Sequence, residues 1–195
     1  MRVKLNKIKA LCLSNKRFNI IEGPDEVQWF TDNKSLWLCV GIHIGRRILP
    51  DLFGLQVEQC EKCLFLEEER EGDEYGIAMA DGEPKLAYLG DVWEYEQRLM
   101  AFKSGDGMLF VPRDYAEPCS ITESTVFTIR IFADSDGKPY PMVAVYSGMI
   151  CEALLHPISE SYAEYIRKRM AVLGAIPTYR TEKGGENDEK VDKAG

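Results

Sequence analysis

Residues 125–155 read TVFTIRIFA, DSDGKP, YPMVAVYS and GMICEALL in succession. In the first segment, the alternating set Phe127, Ile129 and Ile131 is more apolar than the set between them, a period-two pattern typical of a strand with one face packed inward. The Asp-Ser-Asp-Gly segment has the composition of a turn. Apolar runs at 142–147 and 149–155 follow it, so this part of the chain predicts a series of antiparallel strands.

The first forty residues show the same alternation of apolar and polar positions in shorter segments. Alternating apolar and polar positions occupy 7–14, 17–22, 26–31 and 35–40, and turn-forming residues separate them. This pattern predicts an antiparallel meander. Further strands are expected at 75–80 and 85–89, which flank Asp81-Gly82 as a hairpin, and at 108–112. A short helical turn is expected at 48–54, and 60–69 is ambiguous between strand and helix.

Two amphipathic helices are expected. Asp91 can cap a helix that ends before Gly105, with Glu94 completing a capping box. Ser161 and Glu164 form the matching pair for a second helix, which ends at Gly174. The apolar positions on one face are Val92, Tyr95, Leu99 and Phe102 in the first helix, and Tyr162, Tyr165, Ile166, Met170 and Leu173 in the second.

Together these elements predict an α+β fold, with a largely antiparallel sheet of short strands and two main amphipathic helices. Residues 1–177 are expected to form a single globular domain. An alternative division gives two β-rich halves, 1–89 and 90–177, each of short strands accompanied by a helix. Residues 178–195 are charged and nearly devoid of apolar side chains, which predicts a mobile tail.

Composition limits the function classes. The chain has 24 basic and 32 acidic residues, a formal charge of −8, and its acidic excess is concentrated at 58–74. This charge disfavours broad electrostatic coating of nucleic acid. No apolar run approaches the ~18 residues typical of a membrane span, and the N-terminus lacks the apolar region of a signal peptide. We therefore expect a cytoplasmic protein with no membrane contact, whose six cysteines are reduced.

Catalytic and nucleotide-binding signatures are absent from the sequence. It contains no G-x-x-x-x-G-K-[ST] loop, no G-x-G-x-x-G turn, no G-x-S-x-G elbow and no H-E-x-x-H helix. The sequence thus assigns no catalytic residue and no cofactor. It favours a non-catalytic binding or accessory protein that acts through contacts with a protein partner.

One motif has metal-ligand spacing. Cys60 and Cys63 are separated by two residues, so both thiolates could reach one zinc ion or form a redox pair. A zinc site normally needs two further ligands, for which Cys39, His43 and Cys119 are the candidates.

An enzyme is the second function class. His43 or His156 could act as a base near neutral pH if the fold brings it to an acid such as Asp32 or Asp91. No local motif joins these residues. The three tryptophans, Trp29, Trp37 and Trp93, are expected to build the core rather than a stacking surface.

Residues Pro141–Pro157, an apolar strand pair followed by a proline, resemble the terminal strand pair of DNA sliding-clamp domains. The resemblance implies a homo-oligomeric ring around DNA, in which basic helix residues face the nucleic acid. Carried over to this chain, it places Arg167, Lys168 and Arg169 near DNA. The chain departs from the family by continuing into a helix after the strand pair, where a clamp would normally end.

Overall fold

The computed structural model describes residues 3–39, 43–80, 82–105, 107–134 and 136–174. Within them the chain forms five α-helices and ten strands, which join in one mostly antiparallel sheet. This confirms the predicted α+β class. The helices are α1 (Leu5–Asn15), α2 (Leu49–Leu52), α3 (Val57–Cys60), α4 (Arg113–Ala116) and α5 (Glu160–Gly174). The strands are β1 (Arg17–Glu22), β2 (Gln28–Thr31), β3 (Leu36–Cys39), β4 (Leu64–Glu69), β5 (Lys85–Glu94), β6 (Gln97–Ser104), β7 (Gly107–Pro112), β8 (Thr125–Ala133), β9 (Pro139–Ser147) and β10 (Ile150–Leu155).

Two units of one helix and three strands meet at the centre of the sheet. α1 precedes β1, β2 and β3, whereas α4 precedes β8, β9 and β10, and the sheet order is β1-β2-β3-β10-β9-β8. The central strands are antiparallel, with Trp37 opposite Ala153. Ile8 of α1 and Ala116 of α4 belong to the same core cluster, which also contains Trp37 and Ala153. This order indicates an approximate two-fold relation between the units within one continuous sheet.

The remaining strands extend the sheet at both ends. β4 pairs with β1 in parallel at one edge. β5 pairs with β8 through only Lys85 and Leu86, and from Ala87 onward it pairs with β6. The change of register near Gly90, whose φ is +107°, lets β5 bend away from the central strands. β6 and β7 therefore lie beyond the bend and end the sheet on that side.

Both faces of the central sheet are buried, although the sequence favoured one. Phe127 packs in a core cluster with α1, and Phe132 packs in a second cluster on the opposite face with Trp29 and Tyr146. The irregular segment 73–80 lies against this second face, where Tyr75, Ile77 and Met79 contact the cluster. The second face is thus shielded from solvent by a segment that contains no strand and no α-helix.

Arg130 attaches that segment to the sheet. Its Nε donates to Glu83 Oε1 at 2.8 Å, and its two terminal nitrogens donate to the carbonyl oxygens of Glu74, Gly76 and Ala78 and to the hydroxyl of Tyr146. The Arg130 side chain is 5% exposed. A buried charge needs such pairing because its desolvation is otherwise uncompensated. Arg130 therefore replaces strand pairing as the connection between 73–80 and β8.

The helix expected from Asp91 to Gly105 is wrong, since β5 and β6 occupy this stretch as a hairpin. Leu99 and Ala101 pack in one cluster with residues of α5. Met100 and Phe102 point to the other side and belong to the first core cluster, with Phe127 and Trp37. Because side chains alternate along a strand, Leu99 and Phe102 lie on opposite faces rather than on one helical stripe. Burial of β6 on both faces at 99–102 made this stretch resemble a helix in sequence.

Two other local expectations are also wrong. Residues 7–14 were expected to form a strand but belong to α1, where Ile8 and Cys12 are buried one turn apart. Residues 75–80 do not form the expected strand before Asp81-Gly82. The strands at 17–22, 108–112 and 125–133 and the second helix, which is α5, are confirmed.

α5 packs on the far side of β6 and β7. Its Ala163 and Ile166 are buried against Leu99 and Phe110. Among the described helices, none combines the length and apolar character needed to cross a membrane. The tail expected at 178–195 lies outside the described residues.

Candidate functional site

The tip of the β5–β6 hairpin presents two large aromatic side chains to solvent. Trp93 is 68% exposed and Tyr95 is 79% exposed. Glu94 pairs with Gln97, so Tyr95 and Glu96 form a two-residue turn. Tyr95 has a φ of +51°, a backbone conformation that hairpin turns usually give to glycine, asparagine or aspartate. The turn itself thus gives no reason for a tyrosine at this position.

Arg169 of α5 holds the hairpin tip against the helix. Its guanidinium lies 5.7 Å from the ring centroid of Tyr95 and 5.8 Å from that of Tyr165, and the two tyrosine hydroxyls are 3.3 Å apart. The same guanidinium donates to the carboxylate of Glu94, whose side chain is 5% exposed. The hydrogen bond to Tyr165 and the charge of Glu94 raise the pKa of Arg169. Hairpin and helix therefore form one surface.

A second arginine flanks Trp93. Arg98 lies with its guanidinium 6.0 Å from the Trp93 ring centroid, and it pairs with Asp91 at 2.5 Å. Asp91 also accepts a hydrogen bond from Tyr88 and lies 3.9 Å from Arg113. We name Trp93, Tyr95, Arg98, Tyr165 and Arg169 the hairpin surface.

The hairpin surface borders a groove of about 510 Å³ that reaches Arg113 and Tyr162. Among the described residues lining it, acidic and basic side chains are mixed, and neither histidine nor cysteine occurs. Tryptophan, tyrosine and arginine are the residue types that dominate binding energy in protein interfaces. Chemically, this surface can stack, donate hydrogen bonds and exclude water, but it holds no activated nucleophile.

Sequence reasoning missed this surface for identifiable reasons. Trp29 and Trp37 are fully buried, as expected, but Trp93 is exposed, so its assignment to the core is wrong. Tyr95-Glu96 lacks the Asn-Gly or Asp-Gly signal of a tight hairpin. The clustering of Trp93, Tyr95 and Arg98 within six residues was the one available signal.

The three cations expected to face DNA each pair with a carboxylate. Arg167 donates to Glu160 and, at 3.0 Å, to the carbonyl of Met108. Lys168 pairs with Glu164 at 2.7 Å, one helical turn away, and Arg169 pairs with Glu94. Phosphate would have to compete with these carboxylates. Their contact with DNA stays a prediction.

Cys60 and Cys63 lie at the end of α3 and just beyond it, with the Cys63 N–H donating to the Cys60 carbonyl at 3.2 Å. Both side chains are half-buried free thiols. Burial, and next the proximity of Cys60, raise the pKa of Cys63, which disfavours the thiolate that binds metal. Within the described ranges, no third ligand converges on this pair. Of the other candidates, Cys39 and Cys119 are buried.

The dispersed histidines and acids are not joined. His156 Nδ1 lies 2.6 Å from the carbonyl oxygen of Pro157. Asp32 accepts hydrogen bonds from Asn15 and from the backbone of Lys34 and Ser35. In the part of the chain that the structure describes, no hydrogen bond or ion pair links His43 or His156 to Asp32 or Asp91. His43 instead lies beside Glu22 and Glu67.

Comparison of the chain with models of known families, with curated proteins and with solved structures found no match.

Proposed function

We propose that this chain is a non-catalytic binding protein that holds a protein partner on the hairpin surface. The observation that carries the proposal is the exposure of Trp93 and Tyr95 at one hairpin tip, where both line the same groove and each ring has an arginine over it. Burying large aromatic side chains of this kind against a partner is favourable, and arginine adds hydrogen bonds at the rim.

Pre-organisation supports the same proposal. Arg169 fixes Tyr95 and Tyr165, and Arg98 lies beside Trp93, so these side chains lose little rotational freedom on binding. Less entropy lost on association leaves more of the contact energy as affinity. The left-handed backbone at Tyr95 is consistent with a function, because strained positions persist where the surrounding contacts over-determine them.

The charge balance favours a protein partner over nucleic acid at this surface. Arg98 and Arg169 are each paired with a carboxylate, Asp91 and Glu94 respectively. A nucleic-acid surface would present unpaired cations, since phosphate contacts supply most of its affinity. We therefore expect binding at the hairpin surface to vary little with salt. Six free thiols suit a reducing compartment, and we place the activity in the cytoplasm.

The test is photo-crosslinking from the hairpin surface. A photoreactive amino acid replaces Gln97, which lines the same groove as Trp93 and Tyr95, and the crosslinked protein is identified and purified. Its affinity is then measured for the wild type, for Trp93→Ala with Tyr95→Ala, and for Met149→Ala. Met149 is a matched exposed apolar residue at another turn. We expect the double variant to lose at least about 2 kcal/mol and Met149→Ala to bind normally. Equal affinity of all three chains would refute the proposal.

A DNA-associated function is the second candidate, supported by the charge of the N-terminal segment. The first acidic residue of the chain is Glu22, whereas five basic residues lie at 4–17. Lys7 pairs with Glu117 and Lys9 bonds to the Gly54 carbonyl. The others, Lys4, Lys16 and Arg17, have no carboxylate partner among the described residues. If the chain contacts DNA, these three cations, which flank α1, are therefore better candidates than those of α5.

A further inference from the structure

Glu22, His43 and Glu67 converge at the β1–β4 edge of the sheet. One ligand atom from each lies within 4.8 Å of the other two. The three come from distant parts of the sequence, and none belongs to the hairpin surface. Glu22 is half-buried, whereas His43 and Glu67 are exposed.

The strand register accounts for the two carboxylates. β1 and β4 run parallel, with Ile20 opposite Glu67 and Glu22 opposite Glu69. Because side chains alternate between faces, Glu67 projects from the same face as Ile20 and Glu22. The backbone N–H of Arg46 donates to Glu67 Oε2 at 3.1 Å and orients this carboxylate. Hydrogen bonds of this kind to a ligand carboxylate are typical around metal ions.

A buried glutamine positions the histidine. The Ile44 N–H donates to Gln28 Oε1 at 2.8 Å, and Gln28 Nε2 donates to the Ile44 carbonyl at 3.3 Å. Gln28 and Ile44 are both buried. The side chain of Gln28 therefore holds the backbone next to His43 against β2, much as a neighbouring strand would.

The charges of this cluster are not balanced by a basic side chain. Within the described part of the chain, neither Glu22 nor Glu67 pairs with a lysine or arginine. Two like charges at this separation repel each other. A divalent cation between them would remove the repulsion and connect β1, β4 and the segment that follows β3.

We propose that Glu22, His43 and Glu67 bind a divalent first-row transition metal, of which Zn²⁺ is the representative. One imidazole nitrogen and two carboxylate oxygens suit zinc and its neighbours, which accept both donor types at about 2.0–2.2 Å. Calcium and magnesium prefer oxygen ligands alone. Three protein ligands with two exposed side chains leave a further coordination position open to solvent.

The test is calorimetric titration of the full chain with Zn²⁺, in a background that carries Cys60→Ser and Cys63→Ser to remove the alternative thiol site. We expect one ion per chain. His43→Gln and Glu67→Gln should each weaken binding by at least about 100-fold, because even changes around the ligands cost about 10- to 100-fold. Glu58→Gln, an exposed carboxylate outside the cluster, should bind as the background does.

Several outcomes would overturn the proposal: no Zn²⁺ binding, binding that both ligand variants retain, or tighter binding of Ca²⁺ or Mg²⁺ that needs the same residues. Thermal unfolding of the metal-free variants shows whether they fold. Should either glutamine variant be unfolded, Glu22→Gln and His43→Asn replace it. Restoring Cys60 and Cys63 and titrating with Co²⁺ separates the two sites, since only thiolate ligands give a sulfur-to-metal charge-transfer band.

Discussion

Arg169 on α5 and Tyr95 at the tip of the β5–β6 hairpin lie 5.7 Å apart, measured from guanidinium carbon to ring centroid. The same guanidinium pairs with Glu94, the residue before Tyr95 in the chain. One side chain therefore neutralises a buried carboxylate and supports an exposed aromatic ring. Together with the Tyr95–Tyr165 hydroxyl contact and the apolar packing of α5 on β6, this side chain sets the position of the proposed binding surface.

Arg169→Ala should loosen the hairpin. It leaves the Glu94 carboxylate, 5% exposed, without its cation, and unpaired buried charge costs more than the lost contact alone. We expect a lower free energy of unfolding and faster amide exchange at 94–97. Lys168→Ala is the control, because Lys168 is 74% exposed and should change stability by no more than about 0.5 kcal/mol. Equal effects of the two variants would contradict the contact.

Arg130→Met should be among the most destabilising single changes in the chain. It removes every hydrogen bond from the Arg130 side chain to segment 73–80 and leaves the buried Glu83 carboxylate without its cation. Breaking a buried pair in this way costs about 3–5 kcal/mol, measured by urea unfolding. Arg70→Met breaks an exposed pair with Glu68 and should cost about 0–1 kcal/mol. A small loss in Arg130→Met would show that the apolar contacts and the hydrogen bonds from Trp29 to Tyr75 and from Cys151 to Ile77 secure the segment without Arg130.

Acid should weaken the same connection. Burial by itself raises the pKa of Glu83, but the Thr128 hydrogen bond, the Arg130 charge and the Tyr146 hydrogen bond together lower it below the ordinary value of 4.5. A carboxyl whose folded-state pKa is depressed stabilises the fold above its unfolded pKa, and the stabilisation disappears as pH falls through the folded value. The free energy of unfolding should therefore fall below about pH 4.5. In Glu83→Gln this acid-dependent loss should be smaller, whereas Glu164→Gln, an exposed position, should retain most of it.

The sequence predicted the central strands because their alternation and turns are local signals. β8 and β9 are bounded by Asp134 and Gly137, which favour a turn whatever surrounds them. Residues 91–104 were mistaken for a helix because β6 is buried on both faces at 99–102, by α5 on one face and by the first core cluster on the other. Burial on two faces erases the alternation that identifies a strand.

The candidate sites were harder to predict because they depend on distant residues. Arg169 contacts Tyr95 because α5 packs on β6. The parallel β1–β4 pair brings Glu22 and Glu67 together, and His43 reaches them from another part of the chain. No spacing in the sequence encodes either contact. Cys60 and Cys63, by contrast, were visible in the sequence because their two-residue spacing is local.

DNA binding, if the chain has it, should depend on the three cations that flank α1 rather than on those of α5. Lys4, Lys16 and Arg17 have no carboxylate partner in the described ranges, so phosphate can pair with them without breaking an ion pair. Each phosphate contact steepens the dependence of log affinity on log salt by about 0.9 on duplex DNA. Replacing all three with alanine should therefore reduce the slope by about 2–3, whereas alanine at Arg167, Lys168 and Arg169 should leave it nearly unchanged. The measurement is duplex binding by fluorescence anisotropy at several salt concentrations. The reverse result would restore the α5 prediction, and no binding at any salt concentration would refute the DNA-associated function.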